Sequence, residues 1–275
     1  MSRTGATDVA LIGDIKEALM DLRDAIAGMA PKQAIRDASA DRLRELREFA
    51  TAAWKRSDAA ARANFGRTPM HPDEIGAVMA RTLDPDAIIV SENLTARYEA
   101  FRFGHRENEQ MWLSNSGASL GCGIGAAAGA KLVAPDRQVV CSIGDGSVMY
   151  SASGFWTQAR YHSPVLTVIW NNRNYQTVRF AYDAYKGRLS ATGHYSAMYL
   201  GGPDIDFVKL AESQGVSGEN AWTPAELEPE LKRGIAATRD GQPYVVEVAT
   251  ARYGAGAGST WYETFNLAGK RRKRV

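Results

Sequence analysis

The sequence has few residues that could build a disulfide framework or a soft-metal site. It contains two cysteines and four histidines in 275 residues. Cys122 and Cys141 lie in small-residue or β-branched apolar segments, where a buried free thiol is common. We therefore exclude a disulfide scaffold, and no two histidines have the spacing of a metal site.

Long apolar runs are also missing. No window approaches the roughly 18 to 20 unbroken apolar residues of a transmembrane helix, and the first residues lack the basic-then-apolar order of a signal peptide. With 45% hydrophobic and 23% charged residues, the composition is that of a globular protein. We expect a cytoplasmic protein without a membrane partner.

The chain has little net charge, at +2. Five consecutive basic residues occupy 270–274, so the rest of the chain is net acidic and offers no footprint for nucleic acid. This basic tail is either a clamp for a phosphate-bearing ligand or an acidic partner, or a solvated terminus.

Short apolar runs alternate with helical patterns from about residue 74 onward. The runs cover 87–90, 138–143, 165–170 and 244–249, and the helical patterns lie around 74–83, 121–132, 152–161, 206–214 and 224–238. Continuous β-branched runs are typical of parallel strands buried on both faces. The sequence predicts an α/β fold, a doubly wound and mostly parallel sheet with helices on both faces.

The N-terminal part has a different pattern. Residues 8–12 predict a short buried strand, and a helix is expected from Asp14. Residues 38–62 predict an amphipathic helix with an apolar stripe that includes Leu43, Leu46 and Phe49. Prolines and helix-start residues near 64–72 mark a boundary. We expect a helical extension over 1–65 and a compact domain over 66–275.

Polar motifs follow two of the predicted strands directly. Gly144-Asp145-Gly146-Ser147 follows one, and Asn171-Asn172-Arg173-Asn174-Tyr175 follows the next, about one strand–helix–strand crossover later. Because parallel strands end at one edge of a sheet, these side chains are expected to meet there. Asp and Asn oxygens indicate a hard cation such as Mg²⁺, and the glycines let backbone N–H groups approach a phosphate. Separately, the two motifs would fit a tight turn and a strand-end cap.

A second glycine motif, Gly121-Cys-Gly123-Ile-Gly-Ala126, matches the dinucleotide fingerprint G-x-G-x-x-A. A true fingerprint follows a buried strand, whereas the residues before Gly121 are polar. Nicotinamide binding is therefore not favoured.

The segment from Gly-Asp-Gly at 144–146 to Asn-Asn at 171–172 resembles the thiamine diphosphate-dependent enzymes of the benzoylformate decarboxylase and acetolactate synthase type. The similarity extends upstream through the glycine-rich residues 116–129 and through Pro135-Asp136-Arg137, and covers about 70–265. It implies a thiamine diphosphate-binding fold with thiamine diphosphate and Mg²⁺ as cofactors.

The resemblance also implies roles for individual residues. Asp145, the side-chain oxygen of Asn172 and the backbone carbonyl of Asn174 would bind Mg²⁺. Leu120 would hold the cofactor in a bent shape, and the Ala118 carbonyl would accept a hydrogen bond from its 4′-amino group. The remaining expected cofactor contacts are Asn93, Thr95, Gly144, Gly146, Ser147, Asn171 and Tyr175.

The segment after Asn172 is rich in Tyr, Arg and Gly and predicts a lid over the cofactor, with a plain surface loop as the alternative. Gln176, Thr177 and Ala181 are the expected substrate-pocket residues. His105 and His194 are the candidate acid/base groups, although a lone histidine is more often structural.

Members of this family with a single chain take a catalytic glutamate from a further domain, for which 275 residues leave no room. Glu92, at the end of a strand of this domain, is not expected to take that role. The resemblance thus implies a partner subunit that carries the pyrimidine-binding domain and the glutamate, in a hetero-oligomer such as α2β2 or larger. A truncated longer protein is the alternative.

By resemblance, the expected function is a lyase or decarboxylase of 2-oxo acids or 2-hydroxyacyl compounds, with the cofactor as electron sink. An acetolactate synthase-like carboligase subunit and a non-catalytic cofactor-binding or regulatory subunit remain alternatives.

Overall fold

The computed structural model describes residues 7–29, 32–96, 110–114, 117 and 119–262. The chain forms two compact units, one up to residue 60 and one from residue 61 onward. Within the described ranges, no helix is both long and apolar enough to cross a membrane.

The first unit is helical. It contains α1 (Ile15–Met29) and most of α2 (Lys32–Arg62), and the Asp14 side chain caps α1 by accepting the Lys16 N–H at 2.9 Å. The strand expected at 8–12 is wrong, because these residues pair with no strand and Val9 and Ile12 are exposed. An apolar run becomes a strand only where a neighbouring strand accepts its backbone hydrogen bonds.

The second unit is built on a six-stranded sheet in which every pair of neighbouring strands is parallel. The strand order is β2-β1-β3-β4-β6-β5. The strands are β1 (Ile88–Glu92), β2 (Met111–Ser114), β3 (Val139–Gly144), β4 (Val165–Asn171), β5 (Ser217–Ala221) and β6 (Tyr244–Ala249). The predicted parallel α/β fold is confirmed.

Helices cover both faces of this sheet, because the buried strands alternate apolar side chains between two cores. Val140 and Leu166 pack toward one face, where Ile75 and Leu231 lie, whereas Val139 packs toward the other. The helices are α3 (Pro72–Thr82), α4 (Gly123–Val133), α5 (Asp145–Ser151), α6 (Gly154–Arg160), α7 (Gln176–Tyr185), α8 (Arg188–Thr192), α9 (Phe207–Glu212) and α10 (Pro224–Arg239).

Four short elements were not expected from the sequence. β2 and β5 form the two edges of the sheet. Both have exposed residues, so neither contains the continuous apolar run that predicts a buried strand. α7 and α8 lie in the segment expected to be a lid without regular structure.

The direction of winding reverses between β1 and β3, which places an opening at their carboxyl ends. From β1 the chain first adds β2 on one side and then returns to place β3 on the other. Ligands of open parallel sheets bind at such a switch point.

We expect Leu166→Ala to lower the free energy of unfolding by about 2 to 5 kcal/mol, because Leu166 is fully buried on β4 and its loss leaves a cavity. The matched control Leu132→Ala should change it by less than about 0.5 kcal/mol, because Leu132 is 79% exposed. Urea unfolding followed by circular dichroism measures both, and equal effects would contradict the assigned core.

Candidate functional site

A cleft lies at the carboxyl ends of the strands, where β1 and β3 separate. Residues that follow β1, β3, β4 and β6 form its walls together. Its lining includes Asn93, Leu94, Thr95, Ala96, Leu120, Gly144, Asp145, Gly146, Ser147, Asn172, Asn174, Tyr175, Gln176, Thr177, Val178, Thr250, Ala251 and Tyr253.

Asp145 is a buried carboxylate in this cleft. It begins α5 directly after β3, is 3% exposed and accepts the backbone N–H of Gly146 at 2.8 Å and of Asn174 at 3.3 Å. Burial raises the pKa of Asp145 to about 7, and the negative charge of Glu247 adds to this effect. A cation beside Asp145 would keep the carboxylate ionised at neutral pH.

Two amide oxygens in the same cleft have no donor among the described residues. They are the buried side-chain oxygens of Asn172 and Asn174. The Asn174 amide nitrogen donates to the Gln176 side-chain oxygen at 2.7 Å, which holds the amide in one orientation. The Asn174 side-chain oxygen is thus a candidate ligand beside the expected one, the Asn174 backbone carbonyl.

These oxygens fit a hard cation such as Mg²⁺, which prefers carboxylate and amide oxygens. Across the part of the chain that the structure describes, no three His, Cys, Asp or Glu side chains are grouped to hold a metal. A cation in this cleft would therefore depend on one carboxylate together with amide oxygens.

The opposite wall carries an unused donor. The Asn93 side-chain oxygen accepts the Ala96 N–H at 3.1 Å, while its amide nitrogen is buried without a partner. The Thr95 and Thr177 hydroxyl oxygens lie 3.1 Å apart across the cleft. An unpaired donor and hydroxyl groups suit the oxygens of a phosphate.

Two glycines shape the floor of the cleft for different reasons. A Cβ added to Gly144 would meet no atom within 4 Å, so glycine there leaves open space for a ligand. A Cβ added to Gly146 would come 2.5 Å from the Tyr175 ring, so glycine there lets the ring pack over the backbone. The residues present thus fit a diphosphate held close to the chain.

Sequence reasoning missed the part that Glu92 plays in building the site. Glu92 ends β1 and is 1% exposed, and its two carboxylate oxygens accept the backbone N–H groups of Gly121 and Gly123. This pairing fixes the turn that carries Leu120 into the cleft wall. A Cβ added to Gly123 would lie 2.8 Å from a Glu92 oxygen, so the close approach requires glycine.

The G-x-G pattern at 121–123 thus serves the chain's own carboxylate rather than a pyrophosphate. The signal available in the sequence was an acidic residue at a strand end followed downstream by this glycine pair.

Three expected site residues lie away from the cleft lining. Asn171 donates to Glu247 at 2.6 Å and accepts the Arg173 N–H, so its amide is used within the fold. Ala181 is exposed, five residues beyond Gln176 and hence on another side of α7. His194 is exposed and stacks on Trp261, with ring centroids 4.8 Å apart. Ala118, His105 and the basic tail lie outside the described residues.

The fold and the cleft are those of an α/β domain with a candidate phosphate site at the switch point of a parallel sheet. Comparison with known families makes this specific. The chain belongs to the thiamine pyrophosphate enzymes, because the family's C-terminal TPP binding domain matches residues 94–248. This match confirms the resemblance seen in the sequence.

Individual relatives agree with the family. The chain is 35% identical over 184 residues to benzoylformate decarboxylase of Pseudomonas aeruginosa, covering 66% of this chain and 33% of that protein. It is 25% identical over 249 residues to the acetolactate synthase isozyme 3 large subunit of Escherichia coli, covering 90% of this chain and 41% of that protein.

A solved structure shows the same relation. The thiamine diphosphate-dependent 4-hydroxybenzoylformate decarboxylase of Rhodococcus jostii RHA1 matches with a TM-score of 0.59 and 31% identity, over 66% of this chain and 32% of that chain. The present chain thus spans about a third to two-fifths of the length of these relatives.

We expect Glu92→Gln to lower the free energy of unfolding by about 1 to 3 kcal/mol, because the new amide nitrogen would face a buried backbone N–H without an acceptor. Glu219→Gln is the matched control, since Glu219 is exposed on β5. Denaturant unfolding of both variants checks this. A Glu92→Gln variant as stable as the control would contradict the structural part assigned to this carboxylate.

Proposed function

We propose that this protein is a subunit of a thiamine diphosphate-dependent lyase or decarboxylase that acts on a 2-oxo acid or a 2-hydroxyacyl compound. One observation carries the proposal. In a single cleft, the side-chain oxygens of Asn172 and Asn174 lack donors and the side-chain nitrogen of Asn93 lacks an acceptor among the described residues. When bound, thiamine diphosphate supplies a carbanion and an electron sink for cleavage of a C–C bond.

The chain's own residues would hold the cofactor through its diphosphate. Asp145, Asn172 and Asn174 would bind Mg²⁺ through oxygen atoms. Two observations support this: the Asp145 carboxylate is buried, which raises its pKa, and the side-chain oxygens of Asn172 and Asn174 accept no hydrogen bond from the described residues. The Asn93 amide nitrogen would donate to a phosphate oxygen. Leu120, whose turn Glu92 fixes, would support the ring portion of the cofactor.

The substrate pocket would lie next to this site. Gln176 and Thr177 line the cleft at the start of α7, so we assign the pocket to that helix end rather than to Ala181 or His194. Decarboxylases of benzoylformate type are among the relatives at the higher identities, which supports a lyase of 2-oxo acids.

A carboligase of acetolactate synthase type is the second candidate. It is supported by the similarity to the Escherichia coli large subunit, which extends over 90% of the chain and therefore reaches into the N-terminal unit.

We further propose that a second subunit completes the enzyme by supplying the pyrimidine-binding domain and its glutamate. The shorter length of this chain relative to its relatives supports a missing part. Exposed apolar residues on the first unit, among them Ile15, Leu19 and Phe49, support a surface that is covered in an assembly.

We expect Asp145→Asn to weaken Mg²⁺-dependent binding of thiamine diphosphate by about tenfold or more, because it removes the negative charge beside the cation. Asp183→Asn is the control, since Asp183 is exposed on α7 and does not line the cleft. Isothermal titration with and without Mg²⁺ measures both. Unchanged binding by Asp145→Asn would remove Asp145 from the metal site.

Native mass spectrometry of the protein purified from its source, with thiamine diphosphate and Mg²⁺ present, tests the assembly. We expect a complex that contains a second, different subunit together with cofactor mass. A homo-oligomer that retains no cofactor would overturn the two-subunit proposal.

A further inference from the structure

Arg179 is a buried cation that the proposed chemistry does not use. It lies on α7 and is fully buried. Its Nη1 atom donates to the backbone carbonyls of Gly256 and Ser259, the second at 2.8 Å. Its Nε and Nη2 atoms are buried and have no hydrogen-bond partner among the described residues.

Within the described residues, no acidic side chain forms an ion pair with Arg179. Burial lowers the pKa of Arg179, and the like charge of Arg252 adds to this effect. The Tyr195 ring lies 5.1 Å from its Cζ atom and offers only a weak cation–π contact. Because a guanidinium does not lose its proton in a protein, an anion is the partner that this position lacks.

The two unused nitrogens share one edge of the guanidinium. Nε–H and one N–H of Nη2 point the same way, at the spacing of the two oxygens of a carboxylate. The two carbonyls accept from Nη1, and this edge is left without an acceptor among the described residues. The chemistry of the open edge therefore favours a planar carboxylate over a halide.

The segment 254–259 covers the guanidinium and is itself tied to α7. Gly254 and Gly256 have positive φ angles, and a Cβ on either would collide with the ring of Phe180 or Tyr195. The Gln176 amide nitrogen donates to the Ala255 carbonyl at 2.9 Å. Gln176 also lines the cleft, so the Arg179 position is one helical turn from the candidate site.

We propose that Arg179 is a carboxylate-binding site, in which a carboxylate binds side-on to Nε and Nη2 beneath the segment 254–259. Two sources have this chemistry: a small carboxylic acid, and the chain's own Glu263, the single acidic side chain in residues 263–275. Carboxylate binding at Arg179 does not depend on thiamine diphosphate. If the small carboxylic acid is the 2-oxo acid substrate, that identification rests on the proposed function.

The test is a titration of the full chain, labelled with ¹⁵N-arginine and free of cofactor, with sodium acetate or sodium chloride. Arg179→Lys assigns the Arg179 Nε–H signal. We expect acetate, and not chloride, to shift this signal saturably. If Glu263 supplies the carboxylate, the Arg179 Nε–H signal of Glu263→Gln differs from that of the wild-type protein before acetate is added. Acetate then shifts the signal in this variant. Absence of an acetate response in both the wild-type protein and Glu263→Gln would overturn the proposal.

A second measurement compares matched variants by the acetate-dependent rise in Tm, relative to chloride. Arg179→Gln should raise the acetate concentration needed by about tenfold or more, because a charge-assisted pair is lost. Arg252→Gln should raise it much less, because Arg252 acts there only through its more distant charge, although it also donates to Ser259, at 3.4 Å. If both variants lose the acetate-dependent rise in Tm equally, Arg179 only holds the segment 254–259 in place and does not bind a carboxylate. Failure of thiamine diphosphate binding would leave these results untouched.

Discussion

The parallel sheet imposes the constraint on which the rest of the second unit depends: β1, β3 and β4 all end at one edge, so whatever follows them must share that edge. Two carboxylates meet there. Glu92 accepts the backbone N–H groups of the chain's own glycines, Gly121 and Gly123, and so fixes the turn beside the cleft. Asp145 accepts the backbone N–H groups of Gly146 and Asn174, and the neighbouring side-chain oxygens of Asn172 and Asn174 accept none from the described residues. Glu92 thus holds a turn of the cleft wall in place, whereas Asp145 lines the cleft itself.

The sequence revealed the four inner strands and their helices because burial on both faces leaves continuous apolar runs. It did not reveal β2 and β5, whose exposed edges need no such runs. It located Asp145 and Asn172 because both follow strands. It misplaced Asn171 because alternate residues of a strand point to opposite sides, and the side that faces Glu247 depends on strand order, which no local pattern encodes.

The buried charges of this unit are divided by sign. The negative groups are Asp145, which directly follows β3, and Glu247, which lies within β6, and burial raises the pKa of each. The positive Arg179 lies on α7, which follows β4, beneath the segment 254–259. Unpaired buried charge is costly, and the two signs do not neutralise one another directly. This separation is what a site would need if it received a cation with a diphosphate on one side and a carboxylate on the other.

Gln176 connects the two sides physically. Its side-chain oxygen accepts from the Asn174 amide nitrogen, so the Asn174 oxygen is left open for a cation. Its amide nitrogen donates to the Ala255 carbonyl and so holds the segment that covers Arg179. A Gln amide has one acceptor end and one donor end, and here each end orients a different part of the site. The orientation of Asn174 and the position of the segment 254–259 therefore both depend on the Gln176 side chain.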